Sequence, residues 1–230
     1  MKKQIMLSFI FLTLGLSSCD EYLDLQPLEQ PSSETFFSTE TELNMAVNAC
    51  YNYIDPNSAY GGHSWYFWFA ALEDAGQIRM SSQFDPFRLG NVNPLTGSVT
   101  TLYREFYSGV SRCHIVIDGM EKLKKSMNEA KWNELRSEAR VIRAWCYYNL
   151  VCKFGDIPFT SSQLQMTDYA GLGRSSEDEV YSFILAEIED AAKFLPATRT
   201  GDSKGRITSG TAYAVGAKDR KSTRLNSSHG

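Results

Sequence analysis

The sequence predicts an all-α protein, a tetratricopeptide-like helical repeat with long irregular loops. Three observations support this class. Apolar residues recur at spacings of three and four in several long segments, as on one face of an α-helix. Capping motifs stand at the start of some of these segments. Few residues separate the two longest segments, which favours an antiparallel helix pair. The strict 34-residue consensus of such repeats is not visible, so the prediction depends on helix pairing.

The first predicted helix spans residues 40–54. The capping box Thr39-x-x-Glu42 precedes it, and apolar residues then follow at helical spacing. Residues 56–98 are the least regular part of the chain, because their glycines and prolines break any long element. We therefore expect a long loop between the first and second helices.

Two long helices follow, the first at residues 99–123 and the second from the capping motif Ser126-x-x-Glu129 to the turn at Gly155. The second helix is apolar over most of its circumference, which predicts a buried, central position. Arg140 and Arg143 are exceptions in this helix. They lie three residues apart and share a face, so enclosed guanidinium groups there require carboxylate or carbonyl partners.

The end of the central helix is marked by Gly155, a residue suited to the position after a helix C-terminus. Pro158 then restricts the residue before it to extended geometry. A capping motif at Ser176 predicts another helix at residues 177–195, and residues 205–208 open the next one. This second pair completes the predicted repeat.

The N-terminus predicts export and lipid anchoring. A basic start and an apolar run of twelve residues, too short to cross a bilayer, are typical of a secretory signal peptide at residues 1–18. The segment ends in small residues before Cys19, as in a bacterial lipobox, so Cys19 is the expected lipidation site. An ordinary signal peptide with a chance cysteine is the alternative. Residues 19–38 are then an extended tether.

Composition excludes several functional classes. The formal net charge is −4, and removal of the signal peptide leaves 21 basic and 27 acidic residues. No basic stripe that favours nucleic acid is present. The remaining cysteines, Cys50, Cys113, Cys146 and Cys152, form no C-x-x-C pair and are expected to be buried free thiols. Histidine spacing supports no metal site, and no motif indicates a cofactor.

An aromatic segment within the long loop is the candidate binding site. Sugars stack their C–H faces on flat rings and need convergent polar groups for their hydroxyls. The candidates are Trp65, Tyr66 and Trp68 for the platform, and Asp74, Arg79, Asn91 and Asn93 for polar contacts. The alternative is that these rings pack beneath the loop. The loop's one acidic pair consists of adjacent residues that do not face each other, so we expect no glycosidase and no other enzyme.

The signature stretches resemble the SusD/RagB family of nutrient-binding surface lipoproteins. The opening segment Glu34-Thr35-Phe36-Phe37 and the central helix with its turn carry the resemblance. The matching positions are Glu138, Arg140, Arg143, Gly155, Asp156, Pro158, Gly205 and Arg206. The resemblance covers roughly residues 16–215.

The resemblance implies a non-catalytic protein that is lipid-anchored on the outer face of the outer membrane. It would bind oligosaccharide without a cofactor and deliver it to a SusC-like TonB-dependent transporter, over which it acts as a lid. Two alternatives remain open: a helical-repeat scaffold for protein partners, and a peptide-binding member of the same family.

The C-terminal residues depart from this pattern. Residues 39–217 are interpreted as an incomplete helical-repeat domain, because family members continue well beyond this point. Residues 218–230 are polar and without periodicity, and they are interpreted as a non-native tail. A natural disordered tail is the alternative.

Overall fold

The computed structural model describes residues 37–54, 89–165 and 167–227. Its α-helices are α1 (Glu40–Tyr51), α2 (Gly97–Gly119), α3 (Glu129–Phe154), α4 (Glu177–Ala191) and α5 (Ser209–Ser227). Short 3-10 helices cover Met120–Leu123, Asp168–Gly171 and Gly201–Ser203, and the two short strands are β1 (Ile157–Pro158) and β2 (Arg174–Ser175). The predicted all-α class is confirmed. The predicted signal peptide, Cys19 and most of the tether lie outside the described residues.

Helix α3 occupies the centre of the fold, as its apolar circumference predicts. It contacts α1, α2, α4 and α5, and most of its side chains from Trp132 to Val151 are buried. A helix enclosed in this way removes apolar surface from water on several faces at once. The predicted central helix is therefore confirmed.

Helices α2 and α3, and likewise α3 and α4, pack as antiparallel pairs. The start of α3 meets the end of α2, where Trp132 Nε1 donates to the Met120 carbonyl oxygen at 2.9 Å. The opposite ends also meet, since the Tyr103 and Phe154 rings lie 5.0 Å apart between centroids. Helix α4 runs back along α3 in the same way. This arrangement is the pairing expected of a helical repeat.

Side chains cap the starts of α1, α3 and α4, with one difference from the prediction. Thr39 and Glu42 form the predicted reciprocal capping box of α1. Ser176 Oγ accepts from Glu179 N at 3.3 Å at the start of α4. Helix α3, however, is capped by Asn128, whose Oδ1 accepts from Lys131 N at 3.1 Å. The prediction of Ser126 was wrong, because Ser126 Oγ donates instead to the Leu123 carbonyl oxygen and closes the preceding 3-10 turn.

The helix ends also differ slightly from the predicted ones. Helix α1 ends at Tyr51 and helix α4 at Ala191, and turns cover the remaining residues to 54 and 195. Terminal turns commonly tighten or fray, so boundaries shift by a few residues.

The turn after α3 depends on Gly155 and Asp156. Gly155 has φ 67° and ψ −133°, a conformation that a residue with a Cβ rarely adopts. Asp156 Oδ1 then accepts from Glu177 N at 3.1 Å and helps to cap α4. Strands β1 and β2 pair antiparallel, with Ile157 opposite Ser175 and Pro158 opposite Arg174. The turn thereby joins the C-terminus of α3 to the N-terminus of α4.

Replacing Gly155 by alanine is expected to lower the free energy of unfolding by about 1–3 kcal/mol, because alanine is strained at this backbone conformation. Urea unfolding followed by circular dichroism measures the change. Gly173→Ala is the matched control, since Gly173 lies in the same connecting region and a Cβ there meets nothing within 4 Å. A Gly155→Ala protein as stable as the control would contradict this account of the turn.

The cysteines agree with the prediction at three positions out of four. Cys50, Cys113 and Cys146 are buried thiols on α1, α2 and α3, and burial raises the pKa of the Cys113 and Cys146 thiols. Cys152 is exposed, so its predicted burial was wrong. It shares a stripe of α3 with Trp145 and Tyr148, which are only half-buried among the described residues.

Helix α5 extends further than the sequence pattern indicates. The segment 205–208 leads into it as predicted, and the helix continues to Ser227, through residues without apolar periodicity.

Among the described residues, no helix is both long and apolar enough to cross a membrane.

Candidate functional site

The predicted aromatic platform lies outside the described residues. The platform residues Trp65, Tyr66 and Trp68 and the predicted polar contacts Asp74 and Arg79 all fall between residues 55 and 88. The structure therefore leaves their role as a prediction.

Asn91 and Asn93 lie in the exposed segment that leads into α2. Asn93 Oδ1 accepts from Leu95 N at 2.9 Å, and Asn93 N donates to Thr96 Oγ1 at 3.1 Å. These are the local bonds by which asparagine stabilises a turn. Asn93 thus helps to shape the chain before α2, whatever further contact its exposed amide makes.

A cavity of about 970 Å³ lies between α2, Tyr147 of α3 and the segment 158–172. We name it the tyrosine cavity, after Tyr53, Tyr103, Tyr107, Tyr147 and Tyr169 in its wall. The other polar side chains of its wall are Arg104, Ser108, Ser111, Arg112, His114, Thr160, Gln163 and Gln165. Rings combined with a few polar groups are typical of small-molecule sites.

The tyrosines hold the cavity wall together. Tyr107 Oη donates to the Pro158 carbonyl oxygen at 2.6 Å, and Tyr147 Oη donates to the Thr160 carbonyl oxygen at 2.7 Å. Burial raises the pKa of Tyr107 and of Tyr147, so both phenols stay neutral donors. Tyr103 tilts against Tyr107 with 4.7 Å between ring centroids. The wall thus presents fixed, uncharged aromatic surface.

Two polar atoms in the wall lack partners among the described residues. These are His114 Nε2 and Gln163 Oε1. His114 is 1% exposed, and burial, followed by the positive charge of Arg143, lowers its pKa to about 4. The imidazole is therefore neutral at neutral pH. Buried polar atoms without partners are uncommon and call for an explanation such as a ligand or water.

Carboxylates do not line the described cavity wall, which contains no Asp or Glu. Glycoside hydrolysis uses a pair of carboxyl groups on either side of the scissile bond. The described wall offers rings, hydroxyls, amides and guanidinium groups. Nor do the described residues contain a group of three side chains able to hold a metal ion.

A buried ion-pair network joins two of the predicted signature residues, Glu138 and Arg206. Glu138 is 0% exposed, and Arg206 Nε donates to its Oε2 at 3.0 Å. Arg199 Nη2 donates to Glu138 Oε1 at 2.8 Å, and Tyr51 Oη donates to Oε2 at 2.6 Å. Gly205, with φ 96°, turns the chain just before Arg206. The network joins α1, α3 and the segment before α5.

A second network pairs the arginines that the sequence predicts to need partners. Arg140 donates to Glu187 through Nε and Nη2, and its Nη1 donates to Asp190 Oδ2 at 2.6 Å. Arg143 donates through Nη2 to Glu187 and through Nη1 to the Ser161 carbonyl oxygen, the latter at 2.8 Å. The prediction of carboxylate and carbonyl partners is confirmed. Because Ser161 follows Thr160, this network also supports the cavity wall.

Sequence reasoning missed the tyrosine cavity and the partners Arg199 and Glu187. A signal for the cavity was present in α2, where Tyr103 and Tyr107 lie four apart and beside the buried row of Leu102 and Phe106. No comparable local signal existed for Arg199 or Glu187. The charged side chains with which they pair lie at least 44 positions away along the chain.

Comparison with known proteins gives a consistent result. A family model named SusD-like, described as "starch-binding associating with outer membrane", matches residues 21–218. A SusD-like protein of Formosa agariphila is 25% identical over 226 residues, which are 95% of this chain and 43% of that protein. The chain spans 38–43% of the length of the curated relatives it matches.

Solved structures share the fold over most of the chain. A SusD-like protein from Bacteroides fragilis has a TM-score of 0.67 at 25% identity, covering 85% of this chain and 37% of that one. A laminarin-binding SusD-like protein has a TM-score of 0.68 at 24% identity, covering 79% of this chain and 40% of that one.

Proposed function

This chain belongs to the SusD/RagB family, and from that premise we propose that it binds an oligosaccharide and delivers it, uncleaved, to a SusC-like TonB-dependent transporter. The family match over residues 21–218 is the observation that carries the proposal. The binding would be non-catalytic, by ring stacking and hydrogen bonds to hydroxyls, and would need no cofactor.

The tyrosine cavity supplies a place for the ligand in the described part of the chain. Its rings are kept neutral and held by hydrogen bonds, so they offer apolar faces that suit the C–H faces of sugars. Tyr169 is 43% exposed and therefore accessible to a ligand. The predicted platform of Trp65, Tyr66 and Trp68 belongs to the same proposal as a second contact surface.

Location follows from the predicted N-terminus and the description of the family. The family model is described as associating with the outer membrane. We propose that Cys19 carries the lipid that anchors the protein there, on the cell surface. A mature protein held at the membrane by a tether can bind a large ligand and still reach a membrane partner.

Tyr169→Ala is expected to weaken binding of oligosaccharides about two- to twelvefold, because a stacked ring contributes about 0.5–1.5 kcal/mol. Isothermal titration calorimetry against a panel of oligosaccharides measures the dissociation constant. Tyr213→Ala is the matched control: Tyr213 is 56% exposed on α5 and is not part of the described cavity wall. The Tyr213→Ala variant should bind oligosaccharides with the same affinity as the wild type.

Three outcomes would lead to other conclusions. Binding of peptides but of no oligosaccharide would favour a peptide-capturing member of the family. Binding of neither would favour a helical-repeat scaffold. Oligosaccharide binding that is unchanged in Tyr169→Ala would move the site away from the tyrosine cavity.

Crosslinking in outer membranes tests the proposed delivery of the ligand to a transporter. Recovery of a TonB-dependent transporter crosslinked to this protein is the expected result.

A further inference from the structure

We propose that the tyrosine cavity selects an anionic oligosaccharide, one whose sugars carry carboxylate or sulfate groups. This inference rests on the proposed function, because it specifies the ligand class for the same site. It arises from the charge of the described wall, which differs in sign from the charge of the whole chain.

The charged side chains of the described wall are both guanidinium groups. Arg104 and Arg112 line the cavity, and no Asp or Glu does, in a chain with a net charge of −4. Arg104 forms an ion pair with the neighbouring Glu105, which does not line the described cavity, with 3.8 Å between Nε and Oε1. Arg112 has no ion pair with any described residue. The wall therefore has a local positive charge that an anion would balance.

The spacing of the two arginines places them along one side of the cavity. They lie eight residues apart on α2, with Ser108 midway, so all three positions fall on one face of the helix. Eight residues correspond to about 12 Å along the helix axis. Each guanidinium presents several N–H donors that match the two oxygens of a carboxylate or sulfate. Two such groups at this separation suit a chain of several sugars better than a single one.

The unpartnered atoms of the wall indicate that a polar ligand enters. His114 Nε2 and Gln163 Oε1 are buried polar atoms of this wall without partners among the described residues. A ligand that supplied hydrogen-bonding groups to both would relieve the cost of leaving them unmatched. Sugar hydroxyls donate and accept, so they can serve either atom. Rings, guanidinium groups and unpaired polar atoms together fit an acidic sugar chain.

The test compares ligands that share one sugar backbone and differ in whether their carboxyl groups are free or methyl-esterified. Trigalacturonate and its fully methyl-esterified form have the same sugars, and only the first has free carboxylates. We expect trigalacturonate to bind the full chain at least about tenfold more tightly, by isothermal titration calorimetry at low ionic strength. Sodium chloride at about 0.5 M should remove most of that preference, because it screens exposed charges. A sulfated carrageenan tetrasaccharide tests whether the cavity also binds a sulfated chain built of other sugars.

Arg112→Gln and Arg104→Gln test the two guanidinium groups. Each should weaken trigalacturonate binding about five- to tenfold and change binding of the methyl ester by less than about twofold. Lys125→Gln is the matched control, since it removes one positive charge from an exposed residue that does not line the described cavity. Circular dichroism verifies that all three variants are folded.

The outcomes separate this inference from the proposed function. Equal binding of trigalacturonate and its methyl ester overturns the inference and leaves oligosaccharide binding intact. A preference for trigalacturonate that neither Arg104→Gln nor Arg112→Gln reduces also overturns the inference and leaves oligosaccharide binding intact. Failure of every oligosaccharide, neutral or charged, overturns both. Binding of tetraglutamate in place of trigalacturonate assigns the cavity to acidic peptides and also overturns the inference.

Discussion

Replacing Glu138 by glutamine is expected to lower the free energy of unfolding by about 3–5 kcal/mol, because it leaves buried guanidinium groups without their carboxylate. Glu138 is completely buried and accepts hydrogen bonds from Arg199, Arg206 and Tyr51. A glutamine of the same shape places an N–H₂ donor where these donors converge. Such a loss is a large part of the stability of an ordinary domain.

Urea unfolding followed by circular dichroism, with linear extrapolation to water, measures this loss. Glu129→Gln is the matched control, because it makes the same chemical change at an exposed position in the first turn of the same helix. We expect that control to change the free energy of unfolding by less than about 1 kcal/mol. Equal stabilities of the Glu138 variant and the control would show that the network contributes little.

Replacing Glu187 by glutamine is expected to lower the free energy of unfolding by about 3 kcal/mol at neutral pH, because it too leaves buried guanidinium groups without their carboxylate. Glu187 lies between Arg140 and Arg143, and all three side chains are nearly buried. Asp190→Asn is the control. Asp190 contacts Arg140 but is about half exposed, so its replacement should lower the free energy of unfolding by less than about 1 kcal/mol. Because Arg143 also holds the Ser161 carbonyl, the Glu187 variant should bind oligosaccharide more weakly as well.

The same network predicts how stability depends on pH. Burial opposes ionisation of Glu187, but the hydrogen bonds from Arg140 and the charges of both arginines outweigh it, so its pKa in the folded protein lies below the ordinary 4.5. A carboxyl group with a depressed folded pKa stabilises the protein fully above the unfolded pKa. This stabilisation is lost as the pH falls through the folded pKa.

Unfolding free energies measured from pH 7 downwards should therefore fall less steeply in Glu187→Gln than in the wild type, below about pH 4.5. Glu134 and Asp190, whose pKa values are also lowered by ion pairing, should still give the variant some slope. If the free energies of unfolding of the two proteins fall in parallel as the pH is lowered, protonation of Glu187 does not contribute to the loss of stability.

The sequence predicted helices better than it predicted their caps and contacts. The Thr39 capping box and the buried character of α3 were correct, because both depend on residues within a few positions of one another. Ser126 was the wrong cap, because a 3-10 turn uses its hydroxyl before α3 begins. Cys152 was wrongly placed in the core, because apolar spacing alone does not show which stripe of a helix its neighbours cover.

By itself, the sequence determined the helical class, the glycine that ends α3 and the family, because periodicity, caps and signature residues are local or ordered patterns. It also indicated that Arg140 and Arg143 need acidic or carbonyl partners. Only the tertiary structure decided which partners those are, and it brought Arg206 to Glu138 across 68 positions of chain. It alone placed Arg104, Arg112 and five tyrosines around one cavity. Such groups meet through helix packing, and no local pattern in the chain specifies that meeting.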